Sequence, residues 1–221
     1  CAEPCAPLTM SSALSNYLIK KKGYSPDDLI TAGLSYQRGR DVVDFFRDRI
    51  IFPIIDHRGN VVAFSGRGIT DETMPKYVNT KETPVYIKGD TLFGLNLAKE
   101  AMREHKQAII VEGYFDVLAC HRAGFKNTVA TSGTALAESL VKADGSPTQL
   151  GLLKRLAPTI LLAFDADKAG MKASERAIGI ALGAGIEVKV VRITGGKDPA
   201  DLIRDNPKNW EEAVAGAKHV I

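Results

Sequence analysis

The chain has 221 residues, 45% hydrophobic and 25% charged, which excludes a chain that is disordered, collagen-like or coiled-coil as a whole and leaves room for one or two domains. Lys plus Arg exceeds Asp plus Glu by 29 − 26 = +3, an excess that neither requires nor excludes a nucleic-acid partner. The longest apolar runs, such as Ile160–Phe164, fall far short of the ~20 residues of a membrane span, and no basic-then-apolar opening reads as a signal peptide, so a soluble, cytoplasmic protein without a membrane partner is expected.

Residues 1–11 are rich in Ala, Pro, Ser and Thr and read as a loose lead-in. A short helix is predicted from Ser12 to Lys21, stopped at Gly23, and a second from the Ser25-Pro26-Asp27-Asp28 cap to Ala32. Ile50–Ile55 and Val61–Phe64, joined by Asp56-His57-Arg58-Gly59-Asn60, read as a hairpin. A polar stretch with Pro75, Pro84 and Gly89 follows, then a helix over Leu95–His105. The remainder alternates: strands at Ala108–Val111, Asn127–Ala130, Thr159–Phe164 and Glu187–Ile193, with helices at Tyr114–Arg122, Gln149–Leu156 and Ala169–Leu182. That order predicts a parallel sheet of about four strands with helices on both faces. Lys142–Pro147 reads as an exposed loop.

Three cysteines make no disulfide framework. Cys1 and Cys5 are spaced for a metal but have no second Cys or His pair nearby, so no zinc site is expected; Cys120, in an apolar helical stretch, is expected in the core.

Ligands in open parallel sheets gather at the carboxyl ends of strands, where strand order reverses. Three such ends carry acids here: Glu112-Gly113, Asp165-Ala166-Asp167, and Asp198 after Gly195-Gly196-Lys197. Carboxylates that converge raise one another's pKa unless a cation neutralises them, and Mg²⁺ combines one or two carboxylates with water and phosphates. The alternative is that Asp165 or Asp167 caps the following helix, and spacing alone leaves both open. A basic group, Arg38, Arg40, Arg47, Arg49, Arg58 and Arg67, lies in the first half; it is either a phosphate-facing surface or a solvated face.

The strings IIVEGYFDVLACHRAGF, ATSGTAL, LLAFDADKAGMKASERAI and GGKDPADLI resemble the Toprim domain of bacterial DnaG-type primases. YLIKKKGYSPDDLITAGL, FRDRIIFPIIDHRGNVVAFSGRGI and PKYVNTKETPVYIKGDTLFGL resemble the segment that precedes it in the same family, so the likeness runs from about residue 13 to about 212. The resemblance implies an α/β fold, a Toprim domain preceded by a smaller mixed α+β subdomain, divided as 1–45 (lead-in and short helices), 46–105 (α+β, basic) and 106–221 (Toprim). It implies a catalytic core making RNA primers on single-stranded DNA from ribonucleoside triphosphates, with Mg²⁺ (or Mn²⁺) held by Glu112, Asp165 and Asp167, which are also the catalytic acids. Asp116 and Asp198 match further acidic positions. Arg67 and Lys76, with Arg49 and Lys88, match residues that handle DNA or nucleotide, and the full-length family partner is a replicative helicase reached through a domain outside this sequence. Ala200 stands where relatives often carry a second Asp, Asp201 being one residue off register. The segment Ala137–Gly151 reads as longer than usual, and the chain as a core fragment. The alternatives are another Toprim enzyme such as a small nuclease, or a non-catalytic nucleic-acid-binding module with a degenerate metal site.

Overall fold

The computed structural model describes residues 12–165 and 167–220; Cys1, Cys5 and the lead-in lie outside the described residues. Two compact units are formed, one from the chain up to Ile54 together with Val61–Lys88, the other from Ile55–Asn60 with Gly89 onward.

In the first unit α1 (Ala13–Lys22) ends at Gly23, whose φ of +79° is the left-handed cap conformation glycine adopts without a Cβ penalty. α2 (Pro26–Thr31) begins with a reciprocal box in which Ser25 and Asp28 cap each other's backbone N–H. A hairpin not anticipated from sequence follows, β1 (Ser35–Arg38) paired antiparallel with β2 (Asp41–Asp44) across a turn at Gly39. Its strands, SYQR and DVVD, lack the apolar alternation that announces a strand. Ser12 makes no side-chain cap for α1; instead the buried Asp44 accepts from the N–H groups of Leu14 (2.9 Å) and Ser15 (2.8 Å) and from the Ser15 hydroxyl. β3 (Arg49–Ile55), β4 (Val61–Gly68) and β5 (Tyr77–Asn79) make a three-stranded sheet in that order, the last pair antiparallel. Ile54, Ala63 and Tyr86 are its buried centre.

The second unit contains α3 (Leu95–His105), β6 (Gln107–Val111), α4 (Tyr114–Arg122), β7 (Thr128–Ala130), α5 (Gln149–Leu156), β8 (Thr159–Leu162), α6 (Lys168–Gly183), β9 (Glu187–Val190), α7 (Pro199–Asp205), α8 (Pro207–Ala215) and β10 (Lys218–His219). The sheet order is β10-β9-β8-β6-β7, parallel except for β10, an antiparallel fifth strand at the edge. Side chains alternate across it. Ala108 and Ile110 join α3, α5 and α6 in one buried cluster, whereas Ile109 and Val111 join α4, α7 and α8, with Trp210 fully buried, in another. Both faces are thus covered, as a parallel sheet requires.

β8 and β9 stop short of the strands expected from sequence. Ala163 and Val191 each add one further ladder bond, to Ile110 and Leu162, before the chain turns out of the sheet. Cys120 is buried as expected. From β6 the chain moves outward to β7, then returns to the far side of β6 for β8. Strand order therefore reverses between β6 and β8.

Candidate active site

The reversal between β6 and β8 leaves a crevice at their carboxyl ends, and two expected acids flank it: Glu112 follows β6, and Asp165 lies three residues beyond β8. They touch, because the Asp165 N–H donates to Glu112 Oε1 at 3.0 Å. The start of α6 closes over them. A Cβ at Gly170 would collide with the Asp165 carbonyl and stand 2.7 Å from Glu112 Oε1, so this position needs glycine for a close approach.

The other three acids are fixed by helix ends. Asp167 caps α6 by accepting from the Gly170 N–H at 2.8 Å, and Asp198 caps α7 by accepting from the Asp201 N–H at 2.7 Å. Asp116 is buried in the first turn of α4, where one oxygen accepts from the Gly113 N–H (3.1 Å) and the other from the Ala200 N–H (3.2 Å). Capping and a metal role were alternatives in the sequence; the geometry makes them compatible. A carboxylate has about four lone-pair sites and a cap occupies one. Ala200, standing where an acid was expected, contributes its backbone N–H. Asp201 is turned away toward the Arg204 guanidinium, 2.7 Å distant.

The five carboxylates share one electrostatic neighbourhood. Burial, then the charges of Glu112, Asp116, Asp198 and Asp167, pushes the Asp165 carboxyl up to about 7. Burial, then the Asp198 charge, lifts Asp116 to about 6 against the lowering effect of its two backbone hydrogen bonds. Asp165 Oδ1 is buried and has no hydrogen-bond partner among the described residues. An orphaned carboxylate oxygen among mutually repelling acids is the environment a hard divalent cation relieves, and the donor set is all oxygen. As they stand, no three His, Cys, Asp or Glu groups among the described residues are gathered into a finished metal cage.

The expected basic residues belong to the first unit. Arg49 donates from Nη1 to the carbonyls of Gly66 and Lys76, both at 3.3 Å, so it straps β4 to the approach of β5. The Arg67 guanidinium lies 6.0 Å from the centre of the Tyr77 ring. Lys76 is exposed on the approach to β5, and Lys88 opens a single 3₁₀ turn. Sequence reasoning missed Ser132, a non-glycine residue at φ +55° whose N–H donates to the Glu112 carbonyl at 3.0 Å. The Ser-Gly after β7 was its only signal. No helix among the described residues is long and apolar enough to cross a membrane.

Comparisons with known proteins agree over nearly the whole chain. Residues 7–99 match the family described as the DNA primase catalytic core, N-terminal domain, and residues 109–203 match the Toprim-like family. The DNA primase of Clostridium acetobutylicum is 42% identical over 191 residues, covering 86% of this chain and 30% of that protein. The crystal structure of the RNA polymerase domain of Mycobacterium tuberculosis primase DnaG superposes with a TM-score of 0.79 at 33% identity, covering 94% of this chain and 67% of that one. A DnaG primase catalytic domain bound to single-stranded DNA superposes with the same score at 32% identity, covering 92% and 63%. The chain spans about a third of the length of the curated relatives it matches.

Proposed function

The chain belongs to the DnaG-type DNA primase family, and from that premise we propose that it is the catalytic core of a template-directed RNA polymerase that starts chains without a primer. The observation that carries the reading is the convergence of Glu112 and Asp165 at the strand-order reversal, with Asp165 Oδ1 buried and without a partner among the described residues. Glu112, Asp165 and Asp167 would hold divalent metal, Mg²⁺ or Mn²⁺, with Asp116 and Asp198 as outer members of the set. Bound there, the metal supplies a lowered pKa for a ribose 3′-hydroxyl and charge neutralisation on the phosphates.

The chain's own residues do the rest. The Asp165 N–H fixes the rotamer of Glu112 through Oε1, leaving the other oxygen to take the 3′-hydroxyl proton as a general base. As the 3′-oxygen bonds to the α-phosphorus, the bond from that phosphorus to its bridging oxygen breaks and pyrophosphate leaves with the electron pair. Arg67 and Lys76, together with Arg49 and Lys88, would offset phosphate charge on template or nucleotide; such contacts position a strand without reading its sequence. A single-stranded DNA template suits this reading, since a similar catalytic domain has been seen with single-stranded DNA. A replicative helicase would be the partner of the longer protein.

The deciding experiment is template-dependent ribonucleotide incorporation by wild type and Glu112→Gln. The wild type should make RNA complementary to the template and Glu112→Gln at least 100-fold less, with an unchanged melting temperature. Degradation of the template without synthesis would favour a Toprim nuclease.

A further inference from the structure

A cavity of about 390 Å³ beside Glu112 is not used by the chemistry above. It is bounded by the loop after β7, by Phe164 after β8, and by the face of α6 that carries Lys172, Ala173, Arg176 and Ala177. Its volume falls within the ~300–1,000 Å³ of small-ligand sites. Glu112 marks one end, against Gly170. Ala177 is seven residues further along α6, about 10 Å at ~1.5 Å rise per residue. One wall is apolar (Leu136, Phe164 and Ala177), while the face of α6 adds two cations. Among the described residues, the only ion pair either of them makes is Arg176 with Glu138 at 3.5 Å, both side chains mostly exposed. Such a pair is worth little and yields readily to a phosphate. Ser132, held at φ +55° with its N–H on the Glu112 carbonyl, ties the loop wall to the acid.

Starting a chain without a primer needs two nucleotides at once. One presents the α-phosphorus and shares its phosphates with the metal-holding acids. The other presents a 3′-hydroxyl while keeping its own triphosphate, which the five carboxylates would repel; it needs cations of its own and an apolar wall for its base. Resting on the primase reading above, we propose that this cavity holds the initiating nucleotide. Its base lies against Leu136 and Phe164, its 5′-triphosphate on Lys172 and Arg176, and its 3′-hydroxyl toward Glu112. In the first step that 3′-oxygen bonds to the α-phosphorus of the second nucleotide, its proton passes to Glu112, and pyrophosphate departs from the second nucleotide with the electron pair.

Two measurements test this. The first is photolabelling with 8-azido-ATP in EDTA, where the acids offer phosphate no metal. Saturable labelling is expected in peptides containing Leu136 or Phe164, protected by excess ATP and retained in Asp167→Asn. It should fall at least tenfold in the Lys172→Glu/Arg176→Glu double variant, and equally in Ala173→Trp, which fills the mouth from an exposed helix position without changing charge. Labelling confined to other peptides, or undiminished in both variants, would overturn the site. The second, with Mg²⁺, compares first-dinucleotide formation with elongation of an annealed RNA primer. The double variant should raise the nucleotide KM for the former at least tenfold and leave elongation unchanged; equal effects on both would overturn the initiating role. A wild type labelled in the cavity that makes no RNA on any template would remove that role together with the reading it rests on, whereas a wild type that makes RNA unlabelled would remove the cavity alone.

Discussion

Gly170 sits where the start of α6 meets Glu112 and the Asp165 carbonyl, with no space for a methyl group. Gly170→Ala must therefore push one of them aside. A loss of about 1–3 kcal/mol is expected in urea denaturation, the usual range for overpacking, together with weaker Mn²⁺ binding by calorimetry. Asp165 behaves in the opposite sense. With its carboxyl lifted from 3.8 to about 7, the native state holds a proton that the unfolded state has released between those values. The metal-free protein should then lose stability as pH rises through that window. In EDTA, Asp165→Asn should flatten this fall and leave the protein more stable than wild type at pH 8, at the expense of Mn²⁺ affinity; a pH series of thermal melts for the two proteins checks the sign. The candidate acids Glu112, Asp165, Asp167 and Asp198 stood out in sequence because they follow strands, whereas Asp116, in the first turn of α4, came only from the family likeness. Which oxygen caps a helix and which is left over was not legible, since the Ala200 N–H that holds Asp116 is 84 residues away in sequence.

Among the elements, the long apolar runs were readable and the polar ones were not. α3, α4 and α5 lie where periodicity placed them, since each buries an apolar stripe. The hairpin of β1 and β2 went unseen because its tie to the rest of the unit is a polar contact, Asp44 with the N-terminus of α1 some 30 residues earlier. That contact replaces the local cap Ser12 does not make. Asp44→Ala should strand the buried Ser15 N–H and free the partly buried Leu14 N–H, while the Ser15 hydroxyl keeps Ser35; the cost is about 1–3 kcal/mol, and amide exchange at Leu14 and Ser15 should accelerate. Unchanged exchange there would mean α1 holds without the remote cap.

At the scale of the whole molecule, the strand order was beyond the sequence. Alternation of strands and helices fixes a parallel sheet but not which neighbour each strand chooses, and β10 is too short to announce itself. Charge, by contrast, could be read directly. If Arg67 and Lys76 meet template phosphates, single-stranded DNA binding should weaken steeply with salt, by about −0.7 in log–log slope per contact. Replacing both by Ala should flatten the slope by roughly one to two. Fluorescence anisotropy over a salt series measures this, and identical slopes would remove the two residues from the binding surface.

Asp167 and Asp198 each start a helix and face the acid cluster, which constrains how this protein can drift over generations. On the metal-holding role proposed above, a change to Ala or Val at either position would lose the ligand and also the cap, itself worth about 1 kcal/mol. Asn keeps the cap and discards the charge. If the proposed role holds, a descendant that gave up the chemistry while keeping the fold would be expected to carry Asn at 167 and 198.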